Sequence, residues 1–360
     1  MFARPFQKVR YWVLDNLALM SQPDVTQDDD GANERPRIYF VVHNRNHQNI
    51  FLDISRALEK KGIRSAFATI GGHRHEPQAS AALKSSSSPY MDVSELLRRV
   101  RHSDIVVVGN DWGPKRLRKI LSALQARGVQ VVGIVEGARF GLPNLYRRVD
   151  ELLCWGPSGL TIGARNPKVV GSPVIEKAVR VKRAAPAGTR VLVNYKFSGT
   201  QSDKGFAWGA AAIAAAKLID PDYILSTHPS SSDVPSDVRV SHEPFGKLLS
   251  QSSVVITRSS TVIYEALAAG VSVIYAPLPD EDRAEFADPA GAFTIAANAD
   301  ELLERAKQYA ASPAFNDDLA RAFFDRHVSF DASRSAVERI ADALTNSLIR
   351  VGNARVGASR

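Results

Sequence analysis

What most constrains this chain is a rhythm. Short apolar runs rich in β-branched residues are each followed by a polar turn and a stretch with helical spacing, over most of the sequence. The clearest case is ITRSSTVIYEALAAGVSVIYAP (256–277): a buried-strand pattern, a serine-rich turn, an amphipathic helix and a second strand. Strands joined through helices lie side by side in a parallel sheet, with the helices covering its faces. The segment asks for an α/β fold.

The rhythm runs through two successive units. The first begins at RIYFVVH (37–43), with a helix expected over 50–62 and strands at 63–69, 104–110 and 129–137. Gly71 to Tyr90 reads as a loop. The second begins at TRVLVNY (189–195) and continues through an Ala-rich helix (207–217), DYILSTHP (222–229), VVIT (254–257) and VSVIYAP (271–277). Helical patterns at 298–312 and 333–349 close the chain. We therefore expect two Rossmann-like, doubly wound α/β domains, 37–180 and 188–345, facing across a cleft with a hinge near 180–188. The last helix is free to pack back on the first domain. Residues 1–36 read as a helix followed by an acidic, Pro-bounded linker, and 346–360 as a basic tail. With 360 residues, each domain is large enough to bury a core of its own.

Composition narrows the function. One cysteine, Cys154, excludes an internal disulfide framework and a thiolate metal cluster. No run approaches the roughly 18 apolar residues that would span a bilayer. Phe6, Val9, Val13 and Leu17 recur at helical spacing among Arg4, Lys8 and Arg10. Residues 1–20 thus read either as a membrane-interface helix or as one packed on protein. A net charge of +8 fits phosphorylated ligands or an anionic surface. Nucleic acid is disfavoured, because no zinc-finger spacing, ribonucleoprotein signature or long basic block occurs. Neither GxGxxG after the first strands nor GxxxxGK[ST] is present, which argues against dinucleotide dehydrogenases and P-loop NTPases.

In doubly wound sheets ligands sit beyond the carboxyl ends of strands, so chemistry is sought in the turns that follow them. At 258–261, Arg258, Ser259, Ser260 and Thr261 would put hydroxyls, backbone N–H groups and a cation at a helix start, which suits a phosphate; a plain N-cap is the alternative. Glu265 lies on the same helical face, either within reach of a ribose or as an exposed helix carboxylate. His228 and Pro229 follow the strand at 222–227, where an imidazole could donate to a departing phosphate. Lys196 follows the strand at 189–195. Glu136, ending VQVVGIVEG, is the best general base, with capping or pairing to Arg139 as its alternative. His43, Asn44 and His47 form a polar loop on the acceptor side. A metal there is disfavoured, since no carboxylate or thiolate joins the two histidines.

Three segments carry a resemblance: VVGIVEGAR (131–139), VVGSPVIEKA (169–178) and FGKLLSQSSVVITRSSTVIYEALAAGVSVI (245–274). Together they resemble the GT-B superfamily of nucleotide-sugar glycosyltransferases, non-hydrolysing UDP-N-acetylglucosamine 2-epimerases and CDP-glycerol phosphotransferases. The order acidic-Gly, His-Pro, Ser-Ser is similar to bacterial sialyltransferases. That resemblance implies Glu136 as acceptor base, with His228, Ser259 and Ser260 on the nucleotide phosphate. Three departures matter, the first being that the N-terminal Gly-Thr-Arg-Pro loop of the epimerases is absent. Arg258-Ser259-Ser260-Thr261 stands where epimerases carry Asp-Ser-Gly-Gly, and Val135 replaces the first of two expected carboxylates.

The expectation is an inverting, metal-independent glycosyltransferase without a cofactor. It would move sugar from a CMP-, CDP- or UDP-linked donor to a surface polysaccharide or glycolipid at the cytoplasmic face of a membrane. Alternatives are epimerisation, a CDP-glycerol-type phosphotransfer, or a non-catalytic nucleotide-binding assembly subunit.

Overall fold

The computed structural model describes residues 37–42, 45–70, 80, 81, 83, 84, 88–111, 115–137, 145–180, 189–195, 202–227, 238–278, 281 and 286–358. The chain divides into two compact units. One holds the chain up to Glu136 with Leu142–Ser172 and Ser329–Arg360; the other holds Gly137–Gly141 and Pro173–Val328.

The first unit is built on a parallel sheet of β1 (Ile38–Val42), β2 (Ser65–Thr69), β3 (Tyr90–Asp92), β4 (Ile105–Val108), β5 (Gln130–Ile134), β6 (Glu151–Cys154) and β7 (Pro167–Val169). Their order is β3-β2-β1-β4-β5-β6-β7. The chain winds outward one way from β1, returns to β4 and winds the other way. The switch point lies between β1 and β4. Every residue of β1 and β4 is buried, as a sheet covered on both faces requires. Its helices are α1 (Arg45–Glu59), α2 (Val93–Arg99) and α3 (Lys115–Ala126).

The second unit repeats the plan. Strands β8 (Val191–Tyr195), β9 (Ile224–Thr227), β10 (Val240–Ser241), β11 (Val254–Thr257), β12 (Ser272–Tyr275) and β13 (Thr294–Ile295) pair in the order β10-β9-β8-β11-β12-β13. The switch point lies between β8 and β11. Helices α4 (Pro173–Val179), α5 (Ser202–Ile219), α6 (Phe245–Ser250), α7 (Val262–Ala268), α8 (Ala299–Ala311) and α9 (Asp317–His327) belong to it. Both units are α/β with doubly wound parallel sheets.

The last helix, α10 (Ala336–Ala358), belongs to the first unit and packs on α1. A buried carboxylate fastens it. Glu151 accepts from Lys168 Nζ at 2.7 Å, from Arg350 Nη2 at 2.5 Å and from Ser347 Oγ at 2.9 Å. The two cations and a hydroxyl offset the desolvation of a carboxylate that would otherwise be strongly unfavourable inside the unit.

Three local readings change. Helix α1 starts at Arg45, within the polar stretch read as a loop. His47 continues the buried stripe of Phe51, Ile54 and Leu58, and that register carries the helix back past its polar first turn. The expected loop from Gly71 ends in strand β3 instead, where Tyr90 pairs with Phe67 of β2. Residues 346–358 are the continuation of α10 rather than a separate tail. They hold no proline, and Ser347 and Arg350 tie them to Glu151. Residues 1–36 and the 181–188 segment lie outside the described residues.

Candidate functional site

At the switch point of the first sheet three side chains converge. His47 comes from the first turn of α1, Asn110 from the turn after β4, and Glu136 from the end of β5. Asn110 Nδ2 donates to Glu136 Oε1 at 2.5 Å, and His47 Nε2 contacts Glu136 Oε2. A carboxylate only accepts, so this contact places a proton on His47 Nε2. His47 is fully buried and Asn110 nearly so, while 17% of the Glu136 side chain is exposed. The carboxylate therefore reaches solvent from a buried, hydrogen-bonded seat.

The backbone is shaped for this arrangement. A Cβ on Gly109 would lie 2.3 Å from His47 Nε2, so only glycine lets the imidazole reach Glu136 past the end of β4. The buried Asp111 carboxylate accepts from the backbone N–H groups of Tyr146 and Arg148, both at 2.8 Å. Tyr146 sits at φ +58°, a left-handed conformation that costs a non-glycine residue on the order of 1 kcal/mol. Asp111 holds it there, and the Tyr146 hydroxyl donates to Gly109 O at 2.9 Å. Burial and the nearby Glu136 carboxylate raise that phenol well above its ordinary range, so it remains a donor. Trp155 Nε1 donates to Val135 O at 2.7 Å, fixing the residue before Glu136.

The second switch point carries different groups. Asn194 of β8 donates to Thr257 Oγ1 of β11 at 2.9 Å, crosslinking the two strands that flank it. The turn Arg258–Thr261 follows. Ser260 Oγ accepts from Val262 N at 3.3 Å, and Thr261, next to the helix, makes no side-chain cap. Ser259, Ser260 and Thr261 are all partly exposed. Arg258 is buried and turned to Glu281, with Nε–Oε2 and Nη2–Oε1 distances of 3.4 Å. Its charge is engaged inside the unit, where it also orients a carboxylate that accepts from Leu278 N. Glu265 stands on α7 as a partly buried carboxyl; burial pushes its pKa up to about 7.

Of the residues expected at a site, the structure brings His47 and Glu136 together, and it gathers Arg258, Ser259, Ser260, Thr261 and Glu265 around the start of α7. His43, Asn44, Arg139, Lys196, His228 and Pro229 lie outside the described residues. Asn110 and Asp111 went unnoticed in the sequence. They come one residue beyond β4 (Ile105–Val108), after Gly109, and the rule that singled out Glu136 applies to them equally. Among the described residues, no group of three or more His, Cys, Asp or Glu side chains could hold a metal ion. A cavity of about 1770 Å³ in the second unit touches Arg190, Asp222 and Tyr223, at the amino ends of β8 and β9. That is the wrong end of the sheet for the site described here.

No protein-family profile and no curated protein sequence matches the chain. Solved structures do. MurG from Acinetobacter baumannii superposes with a TM-score of 0.54 at 15% identity, covering 86% of this chain and 100% of that one. The UDP-GlcNAc 2-epimerase from Methanocaldococcus jannaschii gives 0.55 at 15% identity, over 86% and 99% of the two chains. HepE from Anabaena, solved with UDP and glucose, gives 0.53 at 12% identity, over 88% and 100%. The chain has the GT-B fold. At these identities the likeness concerns the fold, and within GT-B the chemistry must be argued from this chain's own residues. No helix among the described residues is long and apolar enough to cross a membrane.

Proposed function

We propose that this chain is an inverting, metal-independent glycosyltransferase acting on a nucleotide-sugar without a cofactor. The observation that carries the reading is the Glu136 carboxylate, held by His47 and Asn110 at a switch point with part of its surface exposed. Glu136 takes the proton of an acceptor hydroxyl as that oxygen attacks the anomeric carbon. The bond from that carbon to the nucleotide phosphate breaks, and the phosphate leaves with its electron pair. Ser259, Ser260 and Thr261 donate to the departing phosphate, and His228, with Pro229 next to it in the chain, and Lys196 supply the cations that neutralise its charge. Arg258 stiffens this turn through Glu281, and Glu265 accepts from a ribose hydroxyl. His43, Asn44 and Arg139 serve the acceptor.

Likeness to MurG and HepE, and the resemblance to CMP- and CDP-linked enzymes, support a CMP-, CDP- or UDP-linked donor and a glycan or lipid-linked acceptor. A glycan of the cell envelope made at the cytoplasmic side of a membrane, with residues 1–20 against the surface, fits this reading. A thermal-shift screen of CMP, CDP, UDP and GDP tests it. The matching nucleotide at a hundredfold its Kd adds about 2.7 kcal/mol of stability, and the base it prefers names the donor class. Failure of all four to raise the Tm would sink the proposal. UDP-N-acetylglucosamine incubated alone should yield no second sugar; its appearance would point to epimerisation instead.

A further inference from the structure

One buried polar group near the first switch point lacks a partner among the described residues. Gln48 is 4% exposed, and no described donor meets its Oε1. A buried amide oxygen left unmet destabilises a fold, and an apolar side chain of similar size would serve the fold better. The position of Gln48 in α1 shows which end of the sheet it stands at. His47, Phe51, Ile54 and Leu58 form the inward stripe of α1. The neighbouring face is marked by Ser55, whose Oγ meets Ser65 Oγ, at the start of β2, at 2.7 Å. Gln48 lies seven residues before Ser55, two turns back on that same face. Helix and strand run oppositely there. Two turns of helix span about 10.5 Å, close to the roughly 13 Å from Ser65 to Thr69. Gln48 is therefore level with the carboxyl end of β2, the same end of the sheet at which Glu136 stands.

We propose that Gln48 is a specificity-determining contact for the acceptor, accepting a hydrogen bond from a hydroxyl or amide N–H of a saccharide unit. The proposal rests on the glycosyltransferase reading. A neutral carbonyl oxygen suits a neutral donor and disfavours an anion, so the ligand class is an uncharged glycan segment rather than a phosphate. Glu136, which follows β5 across β1 and β4 from this position, serves the reacting hydroxyl; Gln48 serves a neighbouring ring.

The experiment compares wild type with Gln48→Leu and Gln48→Met in melting and in binding chitobiose, cellobiose, lactose and maltose. Without ligand, each variant should melt about 2–4 °C higher, because an unmet polar atom has been removed. At least one disaccharide should raise the wild-type Tm, and its Kd should weaken about tenfold in the variants. A variant that melts higher and binds every responsive disaccharide as well as wild type would overturn the proposal. So would a lower Tm in both variants, which would show the amide to be structural, or a panel with no effect on wild type. The nucleotide screen is the separate control. An intact nucleotide response with a failed disaccharide result rejects the role of Gln48 alone.

Discussion

The two halves of this protein share a winding order and differ in what stands at the switch point. In the first unit the space is filled by an interlocked set: Glu136 gripped by His47 and Asn110, with Gly109 and Asp111 shaping the backbone beneath. In the second, the strands are stitched by a neutral Asn194–Thr257 bond, and the following turn presents partly exposed hydroxyls. The carboxyls differ in the same sense. Glu136 has a donor for each oxygen; at Glu265, among the described residues, burial is what raises the pKa. A group that moves a proton must be positioned before the substrate arrives, whereas a group that binds can be completed by its ligand. On the proposed reading, the first half supplies the chemistry and the second holds the nucleotide.

The widest break in that comparison comes from Glu136→Gln. The amide keeps the shape and removes the base, so transfer should fall about a thousandfold in kcat with little change in nucleotide Kd. Near-full activity in a steady-state assay would leave the first half without its assigned role. Gly109→Ala tests the seat rather than the base. The new methyl overlaps the His47 ring, so His47 must move and Glu136 shifts with it. A displacement near 1 Å costs about a hundredfold in rate, and the nucleotide-induced rise in Tm should survive. Equal activity in wild type and Gly109→Ala would mean that the exact seat of Glu136 is irrelevant.

Ser260→Ala probes the other half and should do less. The hydroxyl accepts from Val262 N, the first amide of α7, so its loss costs about 1 kcal/mol of stability. If it also meets phosphate, calorimetry should show nucleotide Kd rising about tenfold, while kcat at saturating donor barely moves. A lower Tm with unchanged Kd would reduce Ser260 to a cap. The sequence left those two alternatives open for a physical reason: a capping hydroxyl and a phosphate ligand need the same residue at the same helix end.

That ambiguity shows what the sequence could yield. The parallel strands were legible because burial on both faces forces uninterrupted apolar runs, as at 38–42, 105–108 and 254–257. Strand β13, two residues long, and β3, with half-exposed side chains, carry too little pattern to be seen. Glu136 was legible from its place after a strand. Its grip by His47 was not, since it joins positions 89 residues apart and depends on a glycine whose role is to be absent. The start of α1 was misread because polar residues in a first turn look like a loop. Asn110 obeyed a rule already in use and was missed by its neutrality.

The finest test lies within the second half, where two titratable groups, partly buried Glu265 and buried His327, oppose each other. Burial raises Glu265 from 4.5 to about 7, so the folded protein keeps a proton that the unfolded chain has released; stability falls as pH rises from about 4.5 to about 7. Burial, with a smaller push from Arg326, lowers His327 from 6.5 to about 4, so the unfolded chain takes up a proton that the folded protein refuses; stability falls as pH drops from about 6.5 to about 4. Between about 4.5 and 6.5 the folded state is one proton ahead at Glu265 and one behind at His327. The two slopes cancel, and this pair leaves the wild-type Tm flat across that window. Glu265→Gln removes one arm, so Tm should then climb with pH, by at most about 1.4 kcal/mol per unit in free energy. His327→Phe, which suits the packing of His327 against Tyr264 and Phe323, should tilt the curve the other way. The double variant should be flat again. Parallel melting curves for all four proteins would show that Glu265 is not held protonated by its surroundings, and the contrast between a gripped and an unmatched carboxyl would lose its second member.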